Sequence, residues 1–547
     1  MNKLIGIAAA SLLVLASCQV PFTGAGAVRI SLANGAHSLS RVPLTAGTDH
    51  VRIQLLRNGN IVPQDGQDYQ DVVFANQTVT IDQLAPGTGY KILVSAGTAT
   101  SSGFFQVKDY GASDPFEITA GVESAVSVSA WDTPVTLVKQ TDGSRGAAAV
   151  VNSQLYVLAG HLILKSANGS SFSDTSTSVG SSYKVNSFAM GLATTTASVE
   201  SQQLWVNTDQ GISVATEGSP LPAPVILGKD DNGVATSSHD NVLFSGSVAV
   251  VNDIGTNPDG KTYYLHLYGG DGISAGARFE KSGSPDSTWY SVNGKLDSLP
   301  TEVTDVLGKS GSLFLGYAKA DSFAYIATSL GVYRISKKMV TDGQNSSLQF
   351  FDPAFPLSDP LDETHHKVTI GLADTSAKAQ FVSYAVSGTN SQVFVGSNKG
   401  LFSGPVDTTT GQLTNTGVTV TYDATYTDTD ADGNALPDPA DSTKHKRVTV
   451  PGKVDYLAPV VAGTEGLSIT KVVSIASGTS DIYTAAFSAT TREILVLKNS
   501  SVVGIVPLFA GLPSGRLDLV WFNTGAGLLL VASGDDGVVT IDPTKIK

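Results

Sequence analysis

The stretch that decides the fold is Val393-Phe394-Val395-Gly396-Ser397-Asn398-Lys399-Gly400-Leu401-Phe402, in which two apolar runs flank a short polar turn with a glycine. Short runs of β-branched and aromatic residues, bounded by turn residues, are typical of strands. A brief Gly-containing turn between two such runs predicts a β-hairpin. The pattern returns elsewhere in the chain, so this hairpin is one copy of a repeat, which favours an all-β fold.

Five more copies share the apolar strand, the polar turn with a glycine and the second strand, and they lie at 155–164, 204–214, 264–272, 324–333 and 528–539. From Gly160 to Gly400 the turn glycines are 51, 61, 59 and 69 residues apart, and 137 residues separate Gly400 from Gly537. A degenerate copy at 494–497 would divide that last gap in two. Seven units of about 59 residues match four-stranded propeller blades with loops, so we expect a seven-bladed β-propeller at 132–547.

The two ends of this array predict how the ring closes. The chain ends soon after Val538-Val539-Thr540-Ile541, before a complete last blade. Val135-Thr136-Leu137-Val138, at the start of the array, can supply the missing outer strand. Closure of this kind leaves few exposed strand edges, so we expect 135–138 to pair with the last strand.

Residues 27–131 show period-2 strands without the repeat. The segment Leu84-Ala85-Pro86-Gly87-Thr88-Gly89-Tyr90-Lys91-Ile92 resembles an edge motif of prealbumin-like and fibronectin-like sandwiches. In that motif a Pro-Gly turn ends one strand and a tyrosine opens the next and packs over the core. The resemblance implies a small β-sandwich domain at 27–131, with Tyr90 in the packing position.

The N-terminus carries an export signal. A short positive start, Met1-Asn2-Lys3, precedes an apolar run of signal-peptide length at 4–15. Leu15-Ala16-Ser17-Cys18 then resembles the lipobox of bacterial lipoproteins. The resemblance implies cleavage between Ser17 and Cys18, lipid on the Cys18 thiol, a signal peptide at 1–17 and a tether at 18–26. The alternative is an ordinary secretory signal with a chance cysteine.

Two further features bear on location. Cys18 is the only cysteine of the chain, so it cannot form an intramolecular disulfide. In the lipoprotein family the next residue helps to sort the protein, and Gln19 resembles the outer-membrane default. We therefore expect an extracytoplasmic protein anchored to a bacterial membrane, with the outer membrane favoured and the membrane face left open.

Composition excludes some classes of partner. The net charge is −14 and 15% of residues are charged. An acidic chain of this kind argues against nucleic-acid binding and against a broad basic surface for anionic lipids. The expected partners are the membrane, through the N-terminal lipid, and an unknown protein or glycan.

Two segments resemble the Asp-box of sialidase-like propellers, Ser-x-Asp-x-Gly-x-Thr-Trp. Ser166-Ala167-Asn168-Gly169-Ser170-Ser171-Phe172 keeps the glycine, with Asn for Asp and Phe for Trp. Ser284-Pro285-Asp286-Ser287-Thr288-Trp289 keeps Thr-Trp but lacks the glycine. The resemblance implies a structural role, in which the Asx side chain binds turn amides and the aromatic ring packs between blades.

One acidic loop suggests a metal. Alternating carboxylates before a glycine resemble the first half of a calcium loop, and the candidate ligands are Asp428, Asp430, Asp432, Asn434 and Asp438. The position of the bidentate glutamate is Pro439, for which Asp438 or Asp441 can substitute. The alternatives are a structural Ca²⁺ site and a solvated acidic tip on a long hairpin whose arms are 418–426 and 447–450. No cofactor is required.

Catalytic motifs are missing from the sequence. The chain has no Gly-x-Ser-x-Gly elbow before a helix and no His-Glu-x-x-His, and His365-His366 on a strand would point to opposite faces. No arginine of the array lies in the Arg-Ile-Pro context that is typical of sialidases. The sequence favours a non-catalytic binding or scaffold module over an enzyme. A glycan-active hydrolase with unrecognised catalytic residues is the alternative, and a structural surface protein is a third interpretation.

Overall fold

The protein is represented by a computed structural model of all 547 residues. The residues that it describes are 25–31, 45, 47–73, 78–99, 105–140, 146–151, 153–178, 185–194, 200–208, 211–216, 218–219, 221, 228–229, 235–236, 248–251, 263–268, 276–281, 289–291, 314–319, 323–328, 331–336, 338–342, 345–349, 368–374, 376–408, 411, 413–414, 419–427, 437–445, 447–457 and 460–546. Their regular structure is β-strand, apart from 3₁₀ turns at Leu508–Ala510 and Pro543–Lys545. The all-β prediction is confirmed. Within these ranges no helix is long and apolar enough to cross a membrane.

The chain divides into two compact units. The N-terminal unit comprises Met1–Thr133 together with Phe509–Gly511, and the C-terminal unit comprises Pro134–Leu508 and Leu512–Lys547. The short segment at 509–511 lies in the sequence range expected for the propeller.

The strands of the N-terminal unit form two sheets, with orders β5-β1-β9 and β10-β7-β6-β2-β3, where β4 also pairs with β2 and β8 with β6. In chain order the strands are β1 Gly26–Ser31, β2 His50–Arg57, β3 Asn60–Ile61, β4 Gln70–Val73, β5 Thr78–Leu84, β6 Gly87–Ala99, β7 Phe105–Ala112, β8 Phe116–Ile118, β9 Glu123–Val126 and β10 Ser129–Asp132.

One hydrophobic core joins the two sheets. Val28 and Ile30 of β1 pack in the same cluster as Ile53 of β2 and Ile92 of β6. The alternation of β2 explains its place, because every second residue is buried. Tyr90 is 1% exposed, and its hydroxyl donates to the Ala85 carbonyl at 2.6 Å. This tyrosine therefore occupies the packing position that the sandwich motif implies.

The strands of the C-terminal unit follow one another mainly as antiparallel meanders. In chain order they are β11 Val135–Gln140, β12 Ala148–Val151, β13 Gln154–Ala159, β14 Leu162–Ser166, β15 Ser173–Ser178, β16 Val185–Thr194, β17 Glu200–Thr208, β18 Gly211–Thr216, β19 Gly228–Lys229, β20 Ala235–Thr236, β21 Val248–Val251, β22 Tyr263–Tyr268, β23 Gly276–Lys281, β24 Trp289–Ser291, β25 Phe314–Lys319, β26 Phe323–Thr328, β27 Gly331–Ser336, β28 Lys338–Asp342, β29 Asn345–Gln349, β30 Val368–Leu372, β31 Ala379–Ser387, β32 Asn390–Ser397, β33 Gly400–Pro405, β34 Thr419–Thr427, β35 Pro437–Asp438, β36 Asp441–His445, β37 Arg447–Leu457, β38 Ile469–Ser477, β39 Asp481–Ser488, β40 Glu493–Lys498, β41 Ser501–Pro507, β42 Asp518–Asn523, β43 Leu528–Ser533 and β44 Gly537–Ile541.

The first strands of successive sheets contact one another. Strand β12 contacts β16, β16 contacts β21, β21 contacts β25, β25 contacts β31, β31 contacts β38 and β38 contacts β42. Strand β42 contacts β12 again, which completes the circuit. A closed succession of antiparallel sheets is the arrangement of a β-propeller. The number of seven blades stays a prediction, because much of 217–367 lies outside the described residues.

The ring closes with a strand from the start of the array. Strand β11 pairs antiparallel with β44, and the register runs from Val135 opposite Ile541 to Gln140 opposite Gly537. The resulting sheet has the order β11-β44-β43-β42. The predicted pairing of 135–138 with the last strand is confirmed. The degenerate copy at 494–497 also forms a hairpin strand, β40, in the sheet β38-β39-β40-β41.

The long hairpin around the acidic loop joins a neighbouring sheet. Its arms β34 and β37 pair antiparallel, from Thr419 opposite Asp455 to Thr427 opposite Arg447, as the sequence predicts. Strand β37 also pairs with β30, in parallel. The hairpin follows β33 in the chain, yet it extends the sheet of β25, β26, β27 and β30 to six strands.

Candidate functional site

Most of the candidate site residues from the sequence lie outside the described residues. These are Ser17, Cys18, Asp428, Asp430, Asp432 and Asn434, and His365 and His366 are outside as well. Asp438 is described, and its Oδ1 accepts the backbone N–H of Ala440 at 2.8 Å. No group of three or more His, Cys, Asp or Glu side chains in the described parts of the chain can hold a metal. The calcium site therefore stays a prediction.

The first Asp-box-like segment forms the turn between β14 and β15. Asn168 Oδ1 accepts the backbone N–H groups of Ser170 and Ser171, both at 2.9 Å. Ser166 Oγ accepts the N–H of Gly169 at 2.9 Å. Gly169 has a φ of 74°, and a Cβ there would lie 2.9 Å from Leu529 Cδ1. These bonds are internal to the turn, so the geometry of this copy agrees with a structural role.

The aromatic residue of the same segment also packs as the resemblance implies. Phe172 is partly buried against a cluster that contains Phe522 of β42 and Val531 of β43. Strands β14 and β42 belong to neighbouring sheets, so the ring lies between them. Of the second Asp-box-like segment only the strand Trp289–Ser291 is described, without its side chains.

The candidate site of the propeller is the edge at which the first strands begin, here called the first-strand face. In an antiparallel meander the start of strand one, the end of strand two and the start of strand three share an edge. Ala379 thus lies opposite Ser397, Ile469 opposite Ser488, and Asp518 opposite Ser533. The hairpins 397–400, 488–493 and 533–537 belong to this face.

A buried hydroxyl ends the second strand in each of these three sheets. Ser397, Ser488 and Ser533 are all 0% exposed. Ser397 Oγ donates to the Gly400 carbonyl at 2.8 Å and accepts the Lys399 N–H at 3.0 Å. Ser488 Oγ accepts the Thr491 N–H at 3.2 Å. The hydroxyls of Ser397 and Ser488 brace their hairpins. The sequence analysis missed this role, although a Ser or Thr stands three or four residues before Gly211, Gly331, Gly400 and Gly537.

Irregular pairing recurs at the start of the first strands. The register shifts between Val185 and Ser187 in β16, between Phe314 and Gly316 in β25, between Ala379 and Phe381 in β31, and between Ile469 and Lys471 in β38. A bulge re-aims the side chains that follow it. Phe381 and Lys471 stand directly after two of these bulges.

A chain of contacts runs across the first-strand face. Lys471 Nζ lies 2.6 Å from Asp518 Oδ1, and the two side chains are 20% and 17% exposed. Asp518 Oδ2 accepts the backbone N–H of Ala148 at 2.9 Å. Lys471 Nζ also lies 4.3 Å from the centre of the Phe381 ring. The groups join β31, β38, β42 and β12, so their charges are used to hold first strands together.

No family model matches the chain, and no curated protein matches it. Solved structures that are similar include BBS1N in complex with ARL6DN, with TM-score 0.37, 10% identity and coverage of 75% of this chain and 95% of that chain. YCF48 bound to D1 peptide has TM-score 0.35 and 7% identity, covering 75% and 96%. An exo-β-1,3-galactanase from Clostridium thermocellum has TM-score 0.26 and 10% identity, covering 75% and 99%. Because these TM-scores are below 0.5, the propeller assignment rests on the strand order and contacts of the chain itself.

Proposed function

We propose that the protein is a lipid-anchored lipoprotein of the bacterial envelope whose β-propeller is a non-catalytic binding or scaffold module. The binding role is supported by one observation: polar side chains on the first-strand face bind one another and the backbone of its strands and turns. Lys471 pairs with Asp518, whose other carboxylate oxygen accepts the backbone N–H of Ala148. Ser397 and Ser488 bind their own turns. These contacts brace the strands and turns of a loop-bearing surface, which supports a role in binding a partner.

The anchor of this proposal is Cys18. The lipobox Leu15-Ala16-Ser17-Cys18 supports cleavage after Ser17 and lipid on the Cys18 thiol. Several acyl chains on one cysteine give firm attachment, whereas one chain binds reversibly. Residues 18–26 then serve as a tether and residues 27–131 as a β-sandwich spacer. Gln19 favours the outer membrane as the site of attachment. The partner is a protein or a glycan.

The anchor is tested by Cys18→Ala in the full precursor, with Ser17→Ala as the matched control. Ser17→Ala keeps a small residue before the cleavage point and should still give lipidated protein in the membrane fraction. Cys18→Ala should lose incorporation of labelled fatty acid and leave the membrane fraction or remain unprocessed. Cys18→Ala protein that stays in the membrane after salt and carbonate washes would show that the anchor is wrong.

The binding role is tested with the mature chain on a glycan array and in pull-downs from detergent-solubilised envelopes. Lys399→Glu changes an exposed side chain of the hairpin 397–400 on the first-strand face, whereas Thr479→Glu changes one on the opposite edge. We expect Lys399→Glu to weaken capture of the ligand and Thr479→Glu to leave it unchanged. Cleavage of a glycan by the purified chain would instead support the hydrolase alternative.

A further inference from the structure

The N-terminal unit has two distinguishable ends. At one end, Arg57 at the close of β2 lies opposite Tyr90 of β6, and Tyr90 pairs with Phe116 of β8. At the other end, His50 lies opposite both Val73 of β4 and Gly97 of β6. The seven residue steps of β2 separate these ends by about 23 Å. We call them the near end and the far end.

The chain enters the unit at the near end. Gly26 is buried, and a Cβ there would lie 2.5 Å from both Ile118 Cγ2 and the Thr119 carbonyl oxygen. The Ala25 carbonyl accepts the Gly121 N–H at 3.2 Å, and the Ala27 N–H donates to the Val122 carbonyl at 3.1 Å. The backbone is thus fixed against the turn at 119–122 from residue 25 onward.

The chain leaves toward the far end. The Thr133 N–H donates to the Lys108 carbonyl at 2.9 Å. Lys108 lies in the bulge of β7 between Asp109, opposite Ala96, and Val107, opposite Gly97. The chain therefore enters the unit at the near end and leaves it close to the far end, which fits the role of a spacer.

The tether between the lipid and this fixed point is short. Seven residue steps separate Cys18 from Ala25, and they span at most about 25 Å when fully extended. Because Cys18 is fixed at the bilayer surface in the proposed function, the near end must lie within about 25 Å of that surface.

We infer that the near end of the N-terminal unit, with the turn 119–122 foremost, faces the lipid bilayer, and that the far end points away from it. This inference rests on the proposed lipid anchor at Cys18. The partner of the turn is the bilayer surface. Val122, which is 48% exposed, is the side chain that best reports on this contact.

Single engineered thiols provide the test, because Cys18 is the only native cysteine and its sulfur is consumed by the lipid. Val122→Cys places a thiol at the near end, and Val73→Cys places one at the far end. Both valines are exposed, by 48% and 58%, so the pair is matched. Each lipidated variant is labelled with a donor dye and bound to phosphatidylethanolamine–phosphatidylglycerol vesicles that carry a headgroup-linked acceptor.

Energy transfer to the vesicle should be at least about two-fold more efficient from position 122 than from position 73, given the separation along β2. Equal transfer, or stronger transfer from position 73, by protein that does bind the vesicles would overturn the inference and leave the anchor standing. If neither lipid-processed variant binds the vesicles more than its Cys18→Ala counterpart, the anchor fails and this inference fails with it.

Discussion

Lys471 and Asp518 form an ion pair between β38 and β42, with Nζ and Oδ1 2.6 Å apart and about four fifths of each side chain buried. The other carboxylate oxygen of Asp518 accepts the Ala148 N–H at 2.9 Å. Strand β12, which carries Ala148, begins the first full sheet of the array, and β42 begins the last. One carboxylate therefore connects the two sheets that meet where the ring closes.

Asp518→Ala should lower the free energy of unfolding of the chain by about 2–3 kcal/mol, because it leaves a largely buried ammonium and a backbone N–H without their acceptor. Urea unfolding followed by tryptophan fluorescence measures the change. Glu123→Gln removes an exposed partner of Arg29, where the side chains are 46% and 55% exposed, and should cost less than about 1 kcal/mol. Equal costs for the two variants would contradict the proposed closure role of Asp518.

The Asp-box-like turn gives a prediction with a built-in control. Asn168→Ala removes the acceptor of two backbone N–H groups, from Ser170 and Ser171, and should destabilise the chain by about 1–2 kcal/mol. Asn168→Asp restores the residue that sialidase-like propellers carry and keeps both acceptors, so its midpoint in urea should match or exceed that of the parent. An equal loss in both variants would mean that the turn does not depend on this oxygen.

The sequence predicted those parts of the fold in which the residue pattern itself determines which strands pair. The alternation of apolar strands and Gly-containing turns predicted hairpins, and the ends of the array predicted the pairing of Val135 with the strand that ends at Ile541. The Asn168 turn was recognisable because its function lies in adjacent residues. Hydrogen bonds between residues two or three positions apart can be predicted from the short sequence motif that contains them.

Pairings between segments far apart in the chain could not be predicted from the sequence in this way. The parallel pairing of β37 with β30 joins strands about 85 residues apart, and no local pattern specifies such a partner. The copy near 494–497 looked degenerate because Arg492, with a φ of 56°, occupies the left-handed position that glycine usually marks. The pairing of Lys471 with Asp518 depends on the contact between β38 and β42, and the spacing of the repeats does not predict which side chains meet there.

The serines that end second strands should respond oppositely to truncation. Ser397→Ala removes a buried hydroxyl that both donates to Gly400 and accepts from Lys399, and should cost about 1–2 kcal/mol. Ser533 Oγ is buried with no hydrogen-bond partner in the described residues, so Ser533→Ala should be neutral or slightly stabilising. Thermal unfolding of the two variants measures the contrast. A large loss of stability in Ser533→Ala would reveal a partner for that hydroxyl.

Asp481 predicts an acid-sensitive contribution to stability. The Lys498 ammonium, 2.8 Å from Oδ2, and the Asn499 amide hold the pKa of the Asp481 carboxyl below its ordinary value of 3.8. A carboxyl whose pKa is lower in the folded chain stabilises that chain above the unfolded value, and the contribution disappears as the pH falls through the folded value. The stability gap between the parent and Asp481→Asn should therefore be constant near neutral pH and shrink below 3.8.

Urea midpoints at a series of pH values measure this gap, and Lys498→Met tests its cause. Lys498 supplies the largest influence on the Asp481 carboxyl, so its removal should bring the pKa of Asp481, followed by NMR of the carboxyl carbon, back toward 3.8. The raised pKa of Lys498 itself affects stability only at alkaline pH, because the lysine is fully protonated in both states across the acid range. A pKa of Asp481 that does not move in Lys498→Met would show that Asn499, which donates to Oδ1 at 3.1 Å, sets it instead.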